Sequence, residues 1–316
     1  MKSNFSRRQF INTGAIAATG LTIGPSFLKA ENNSISGNPI RLGGPVPGNY
    51  TDPVEWIKAV KNLRYSAAYC PLLPGASSEL IKAFRAEAKK SNIVIAEVGA
   101  WSNTLDLNEI VRKEAIQKNI ASLQLADEIG ASCCVNISGA RGEIWDGPYA
   151  GNYAKETFDL IVETVRHIID QVKPVSAFYT LEPMPYMLPD SPEKYLELIK
   201  AIDRKQFAAH LDPVNMISSP QKYYNNGAFI KDCFAKLGPY IKSIHAKDIT
   251  ILPKLTLHLD ECRPGLGSMD YTVFLQEASK LKDIPFMLEH LEKQMDYKLA
   301  ADYVRQVGEK GGIVFA

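Results

Sequence analysis

From Ile40 onward the chain alternates short apolar runs with longer stretches in which apolar side chains recur every three or four residues. A short apolar run bounded by turn residues fits a strand covered on both faces, and the longer period fits a helix with one buried stripe. The runs are Ile40 to Val46, Tyr65 to Cys70, Ile93 to Val98, Cys133 to Ile137, Ala177 to Leu181, Phe207 to Leu211, Ile241 to Ile244 and Pro285 to Leu288. Between them, Thr51-Asp52-Pro53, Asp190-Ser191-Pro192 and Ser218-Ser219-Pro220 each set a capping side chain beside a proline, which suits the first turn of a helix. Eight strands, each followed by a helix, predict an α/β protein closed into a (β/α)8 barrel. An open doubly wound sheet would carry a glycine-rich phosphate turn after its first strand, and Arg41-Leu42-Gly43-Gly44-Pro45 lacks that spacing.

The length of 316 residues accommodates one barrel of roughly 250 residues with its loops and calls for no second domain. Residues 39–316 are assigned to the barrel, 31–38 to a polar linker and 1–30 to an export signal. In the last of these, Ser6-Arg7-Arg8-Gln9-Phe10-Ile11 precedes a weakly apolar run to Leu28, and no acidic residue occurs before Glu31. That is the pattern of a twin-arginine signal, and Gly14, Gly20, Gly24 and Pro25 interrupt the run too often for a stable membrane span. It predicts passage through the twin-arginine translocase to the periplasm. The formal charge of +1 is spread without a basic block, which removes nucleic acid as a partner and points to a small, neutral or weakly charged ligand. Five cysteines without a C-x-x-C pair read as buried thiols rather than a disulfide framework or zinc knuckle. A homo-oligomer is compatible with this composition.

A barrel of this kind holds its chemistry at the C-terminal ends of its strands, so the polar residue closing each apolar run is read first. The fifth run closes in Thr180-Leu181-Glu182-Pro183, the sixth in His210-Leu211-Asp212-Pro213, the seventh in Ile244-His245-Ala246-Lys247-Asp248 and the eighth in Met287-Leu288-Glu289-His290. Any one of these carboxylates can equally cap a helix. Three of them converging with an imidazole would repel one another unless a cation offsets their charge. Glu182, Asp212, His245 and Glu289 are therefore the expected ligands of one divalent ion. A hard, oxygen-rich set without cysteine suits manganese first, with magnesium, cobalt or zinc as alternatives.

These four strand ends, T-L-E-P, H-L-D-P, I-H-A-K-D and M-L-E-H, followed by Gly265-Leu266-Gly267-Ser268-Met269-Asp270, resemble the xylose isomerase-like TIM barrel superfamily. The resemblance spans nearly all of the chain after the signal and is closest in pattern to the sugar phosphate isomerase/epimerase group, which includes tagatose and allulose 3-epimerases. It implies that Glu182, Asp212, His245 and Glu289 bind the metal and that Glu182 and Glu289 also form the catalytic acid/base pair. Where the epimerases carry a substrate-binding histidine three positions past the aspartate, this chain has Asn215; Arg263 is the candidate for the arginine that grips substrate in those enzymes, in a loop from Ile249 to Pro264 that is differently built.

Removing a proton beside a sugar carbonyl leaves an enediolate, which a bound cation stabilises. Two glutamates on different strands can then take a proton from one position and return it at another. The expected function is a metal-dependent isomerase or epimerase of a small-molecule sugar. The same first step would begin a β-elimination on a 3-keto-glycoside, making the protein a lyase, and a non-catalytic sugar-binding protein is the remaining alternative. Glu97, Trp101, Asn136, His210, Asn215 and Arg263 are candidates for substrate contact by hydrogen bonding or ring stacking. Lys247 is expected to pair with its neighbour Asp248, and His290 to alternate away from Glu289.

Overall fold

The computed structural model describes residues 37–316, so the expected export signal and most of the expected linker lie outside the described residues. Eleven strands are formed among these residues: β1 (Arg41–Gly44), β2 (Ala67–Ala68), β3 (Val94–Ile95), β4 (Glu97–Gly99), β5 (Cys133–Asn136), β6 (Phe178–Leu181), β7 (Phe207–Leu211), β8 (Ile241–His245), β9 (Asp248–Ile251), β10 (Leu259–Cys262) and β11 (Pro285–Met287). All eight apolar runs contain a strand. Hydrogen bonds connect them in the order β3, β2, β1, β11, β8, β7, β6, β5, β4, with every neighbouring pair parallel. Only Ala96 separates β3 from β4. Its amide donates to Ala68 O at 2.8 Å and its carbonyl accepts from Cys133 N at 3.3 Å, which joins the two ends of the sheet into a (β/α)8 barrel.

The helices begin where the capping signals place them. Asp52 accepts from Val54 N, Ser191 from Lys194 N and Ser219 from Lys222 N, each with a proline in the first turn. The main core lies between strands and helices and includes Phe84, Leu123, Ile168, Leu198, Phe234 and Phe274. A smaller group inside the barrel is built from Ala67, Ala96 and Met287. Gly43 is required there, since a Cβ would stand 2.3 Å from Ala67 O and 2.7 Å from Met287 Sδ.

One element is absent from the sequence reading. The segment after β8 forms an antiparallel hairpin of β9 and β10, where a loop is expected. Ile249-Thr250-Ile251 favours extended backbone. Because this hairpin pairs only with itself and is partly exposed, it carries no continuous apolar run to announce it.

Candidate metal centre and active site

Four side chains at the ends of adjacent barrel strands meet in one buried cluster. Glu182 follows β6, Asp212 follows β7, His245 ends β8, and Glu289 follows β11 by two residues. One ligand atom from each lies within 4.8 Å of all the others. Opposite ligands of an octahedral ion with bonds of about 2.1 Å stand about 4.2 Å apart, so the cluster has the dimensions of a metal site. The glutamates occupy the two ends of this arc, with β7 and β8 between them.

The hydrogen bonding has the same implication. Asp212 Oδ2, His245 Nδ1 and Glu289 Oε1 are buried and make no properly directed hydrogen bond, although His245 Nδ1 is 2.8 Å from Glu289 Oε1 and the Lys247 ammonium is 2.8 Å from Asp212 Oδ2 and 2.7 Å from Glu289 Oε1. Buried polar atoms are rarely left without a partner, and three that face one point fit a cation. Two further acceptors of the set are held. Asn215 N donates to Asp212 Oδ1 at 3.2 Å, and Asn215 Nδ2 donates to Glu182 Oε1 at 2.9 Å. The residue at the epimerases' histidine position thus orients two of the candidate ligands.

Beneath the cluster, inside the barrel, Glu97 is fully buried. Its Oε1 lies 3.1 Å from His210 Nε2 and accepts from the Ser243 hydroxyl, and its Oε2 lies 3.3 Å from His245 Nε2. A carboxylate at Nε2 assigns the proton to that nitrogen and leaves the Nδ1 lone pair for the ion. The His210 and His245 rings stand edge to face, their centroids 4.1 Å apart. The Tyr195 hydroxyl accepts from Leu181 N and His210 N, both at 3.1 Å, and donates to Leu181 O at 2.6 Å, fixing β6 and β7 one and two residues before Glu182 and Asp212.

Lys247 differs from expectation. Neighbouring residues of extended chain point to opposite sides, so Lys247 shares the inward direction of His245 while Asp248 faces away. The Lys247 ammonium lies 2.7 Å from Glu289 Oε1, 2.8 Å from Asp212 Oδ2 and 3.4 Å from Glu182 Oε1. Asp248 instead accepts from the amides of Ile249, Gly265, Gly267 and Met269. The glycine turn is thereby anchored to a carboxylate rather than arranged around a phosphate, and Asp270 beyond it caps the helix Tyr271–Ala278. Gly267 is forced by this packing: a Cβ would meet Asp248 Oδ1 at 2.3 Å.

Burial raises the Glu182 and Glu289 pKa values, and for Glu182 the charge of Glu289 adds to this, yet His245 and Lys247 outweigh both and bring each glutamate down to about 2. Burial raises Glu97 as well, but His245 and His210 hold it well below the usual carboxylate range. For His245 burial works downward, and Glu289, Glu182 and Glu97 reverse it to hold the imidazole well above its ordinary value. Burial also lowers Lys247, and Asp212, Glu182 and Glu289 raise it well above the usual lysine range. The cluster is therefore one of separated charges rather than neutral acids.

The expected substrate contacts divide into two groups. Glu97, Asn136 and His210 are buried among protein atoms: Asn136 exchanges two 3.0 Å hydrogen bonds with the Ser102 backbone, so it ties down the loop after β4. Trp101 is exposed in that loop, and Arg263 lines a cleft of about 440 Å³ with Glu261, Leu266, His290, Lys293 and Asp296. His290 does not alternate away from the site. Its backbone takes φ +54°, and its ring lies 3.2 Å from Glu261 Oε2 and 3.6 Å from Glu289 Oε2. Glu261, on the hairpin, and His290 are the residues at the mouth that sequence reasoning missed. The signal available was the polar residue Glu261 in a segment of unread structure.

The profile of a family described as xylose isomerase-like TIM barrel matches residues 52–307. No curated protein sequence matches the chain. Among solved structures, a D-psicose 3-epimerase from Clostridium cellulolyticum H10 is similar at 15% identity, covering 85% of this chain and 99% of that one, with a TM-score of 0.61. A 3-keto-D-glucoside 4-epimerase from E. coli is similar at 12% identity, covering 84% and 99%, with a TM-score of 0.58. Endonuclease IV from Thermus thermophilus shares 14% identity, covers 85% and 99%, and has a TM-score of 0.65. At these identities the likeness establishes the fold.

Proposed function

The chain belongs to the xylose isomerase-like TIM barrel family, and on that premise we propose that it is a divalent-metal-dependent isomerase or epimerase acting beside the carbonyl of a sugar. The observation carrying this reading is the convergence of Glu182, Asp212, His245 and Glu289 with three buried donor atoms left without a hydrogen bond. Manganese or magnesium suits the donor set, three carboxylates and one imidazole. When bound, such an ion would supply charge stabilisation for an enediolate.

The protein's own groups carry the rest. Both glutamates are ionised and therefore able to accept a proton. Their places at the two ends of the ligand arc let one take a proton from the carbon beside the carbonyl while the other delivers one elsewhere. Asp212 and His245 lie between them and serve as ligands. His290, Glu261 and Arg263 line a cleft beside Glu289 that would receive the part of the substrate beyond the reacting carbon. The twin-arginine pattern extends the proposal to an exported, periplasmic enzyme acting on unphosphorylated sugars.

Proton–deuterium exchange followed by NMR, over a panel of ketoses and 3-keto-glycosides with Mn2+ or Mg2+, tests the reading. Exchange is expected at the carbon beside the carbonyl and is expected to disappear in Glu182→Gln or Glu289→Gln. Absence of exchange in every substrate would remove proton abstraction from consideration. Release of a free aglycone during exchange would identify the lyase variant of the same chemistry.

A further inference from the structure

The geometry points to Lys247 as a resident cation that holds Glu182, Asp212 and Glu289 together in the ion-free protein and that a divalent ion displaces toward Glu261. The inference rests on reading those three carboxylates, with His245, as the ion's ligands. Lys247 is the only fully buried lysine among the described residues, and its ammonium stands within 3.4 Å of an oxygen of each ligand carboxylate. Its two closest partners, Glu289 Oε1 and Asp212 Oδ2, are also two of the three buried donor atoms without a properly directed hydrogen bond. The ammonium and an ion therefore compete for the same oxygens. Two cations held by the same oxygens repel each other strongly in a buried setting, so both cannot keep their closest positions.

The structure also provides a place for the ammonium to go. Glu261 Oε2, on β10 and outside the ligand set, is 3.7 Å from Lys247 Nζ, and Asn215 Oδ1 is 3.4 Å away. A small rotation of a flexible side chain exchanges the ligand oxygens for this pair. In the loaded protein Lys247 would then stand between the ion and the cleft lined by Glu261 and His290.

The test uses chelator-treated full-length protein, with Mn2+ alone as the probe. Ion-free Lys247→Met is expected to melt below the ion-free parent, because three buried carboxylates lose their cation. It is also expected to bind Mn2+ at least tenfold more tightly by calorimetry, because no ammonium has to be displaced from the ligand oxygens. Equal or weaker binding by the variant, while the parent binds Mn2+, overturns displacement and leaves the ligand assignment standing. Failure of the parent to bind Mn2+ overturns the ligand assignment, and displacement with it. Should the variant not fold, the parent supplies the second measurement: the Nζ signal of its buried lysine, followed in 15N-lysine-labelled protein during Mg2+ addition. A stoichiometric shift is expected, and a signal unmoved at saturation overturns the inference.

Discussion

Glu97 Oε2 lies 3.3 Å from His245 Nε2, on the far side of the imidazole from the carboxylates that face its Nδ1. This contact sets which nitrogen carries the proton. Glu97 accepts from two imidazoles and a hydroxyl, and glutamine, with one acceptor oxygen, cannot replace all three interactions. Glu97→Gln is expected to keep its circular dichroism spectrum and lose ten- to a hundredfold in Mn2+ affinity, the usual effect of removing an outer partner of a ligating histidine. Unchanged affinity by calorimetry would leave Glu97 as barrel packing only.

The ligand assignment makes its own prediction. Asp212 and His245 are central in the arc and offer donor atoms with no hydrogen-bond partner. Asp212→Ala and His245→Ala are expected to purify with little divalent metal by elemental analysis, whereas the parent carries about one ion per chain. Full occupancy in both variants would place the ion elsewhere.

On the proposed mechanism, binding and proton transfer should separate in the glutamates. Glu289→Asp keeps the charge but withdraws the carboxylate by one methylene, and a displacement of that order is expected to lower kcat about a hundredfold with metal retained. Glu289→Gln is expected to fall further, because an amide oxygen can still face the ion but cannot accept a proton. The same pattern at Glu182, measured on a substrate found by deuterium exchange, supports the two-glutamate mechanism; parental rates in both metal-loaded glutamine variants exclude it.

Ion uptake is expected to release a proton. In the ion-free protein the surrounding carboxylates hold His245 above its ordinary value, so at pH 7 it is protonated, and a ligating nitrogen must be free. Apparent affinity should therefore rise as pH climbs through the neutral range, and calorimetry in buffers of different ionisation enthalpy should report proton release on binding. The sign for stability is opposite: a raised folded pKa stabilises the ion-free protein below about pH 6.5 and the benefit fades as pH climbs through the folded value. Affinity independent of pH would show that His245 is already neutral or is not a ligand.

Tyr195→Phe probes the scaffold. Removing the hydroxyl leaves Leu181 N and His210 N without their shared acceptor in a fully buried setting. An unsatisfied buried group costs roughly 1–3 kcal/mol, which for a domain of this size lowers Tm by several degrees. A thermal melt indistinguishable from the parent would mean that the strands repack around the loss.

The sequence by itself determined the barrel and the candidate ligand set, because both follow from local rules. Strand ends such as Leu181-Glu182-Pro183 and Leu211-Asp212-Pro213 carry an apolar run, a polar residue and a stop within a few positions, and a barrel's symmetry brings such ends together without further information. What surrounds the ligands was decided by tertiary structure. Glu97 reads as a substrate contact in the chain, but Ala96 divides its strand at the closure of the sheet, and the carboxylate points inward to two histidines more than a hundred residues away. Lys247 sits beside Asp248 in sequence, yet strand geometry sends the two to opposite sides and gives the lysine to the candidate metal centre. His290 departs from simple alternation because β11 has ended and its backbone turns through positive φ. Local patterns specify where a side chain starts, and the direction it takes depends on backbone geometry and on charges contributed by strands that only the closed barrel makes neighbours.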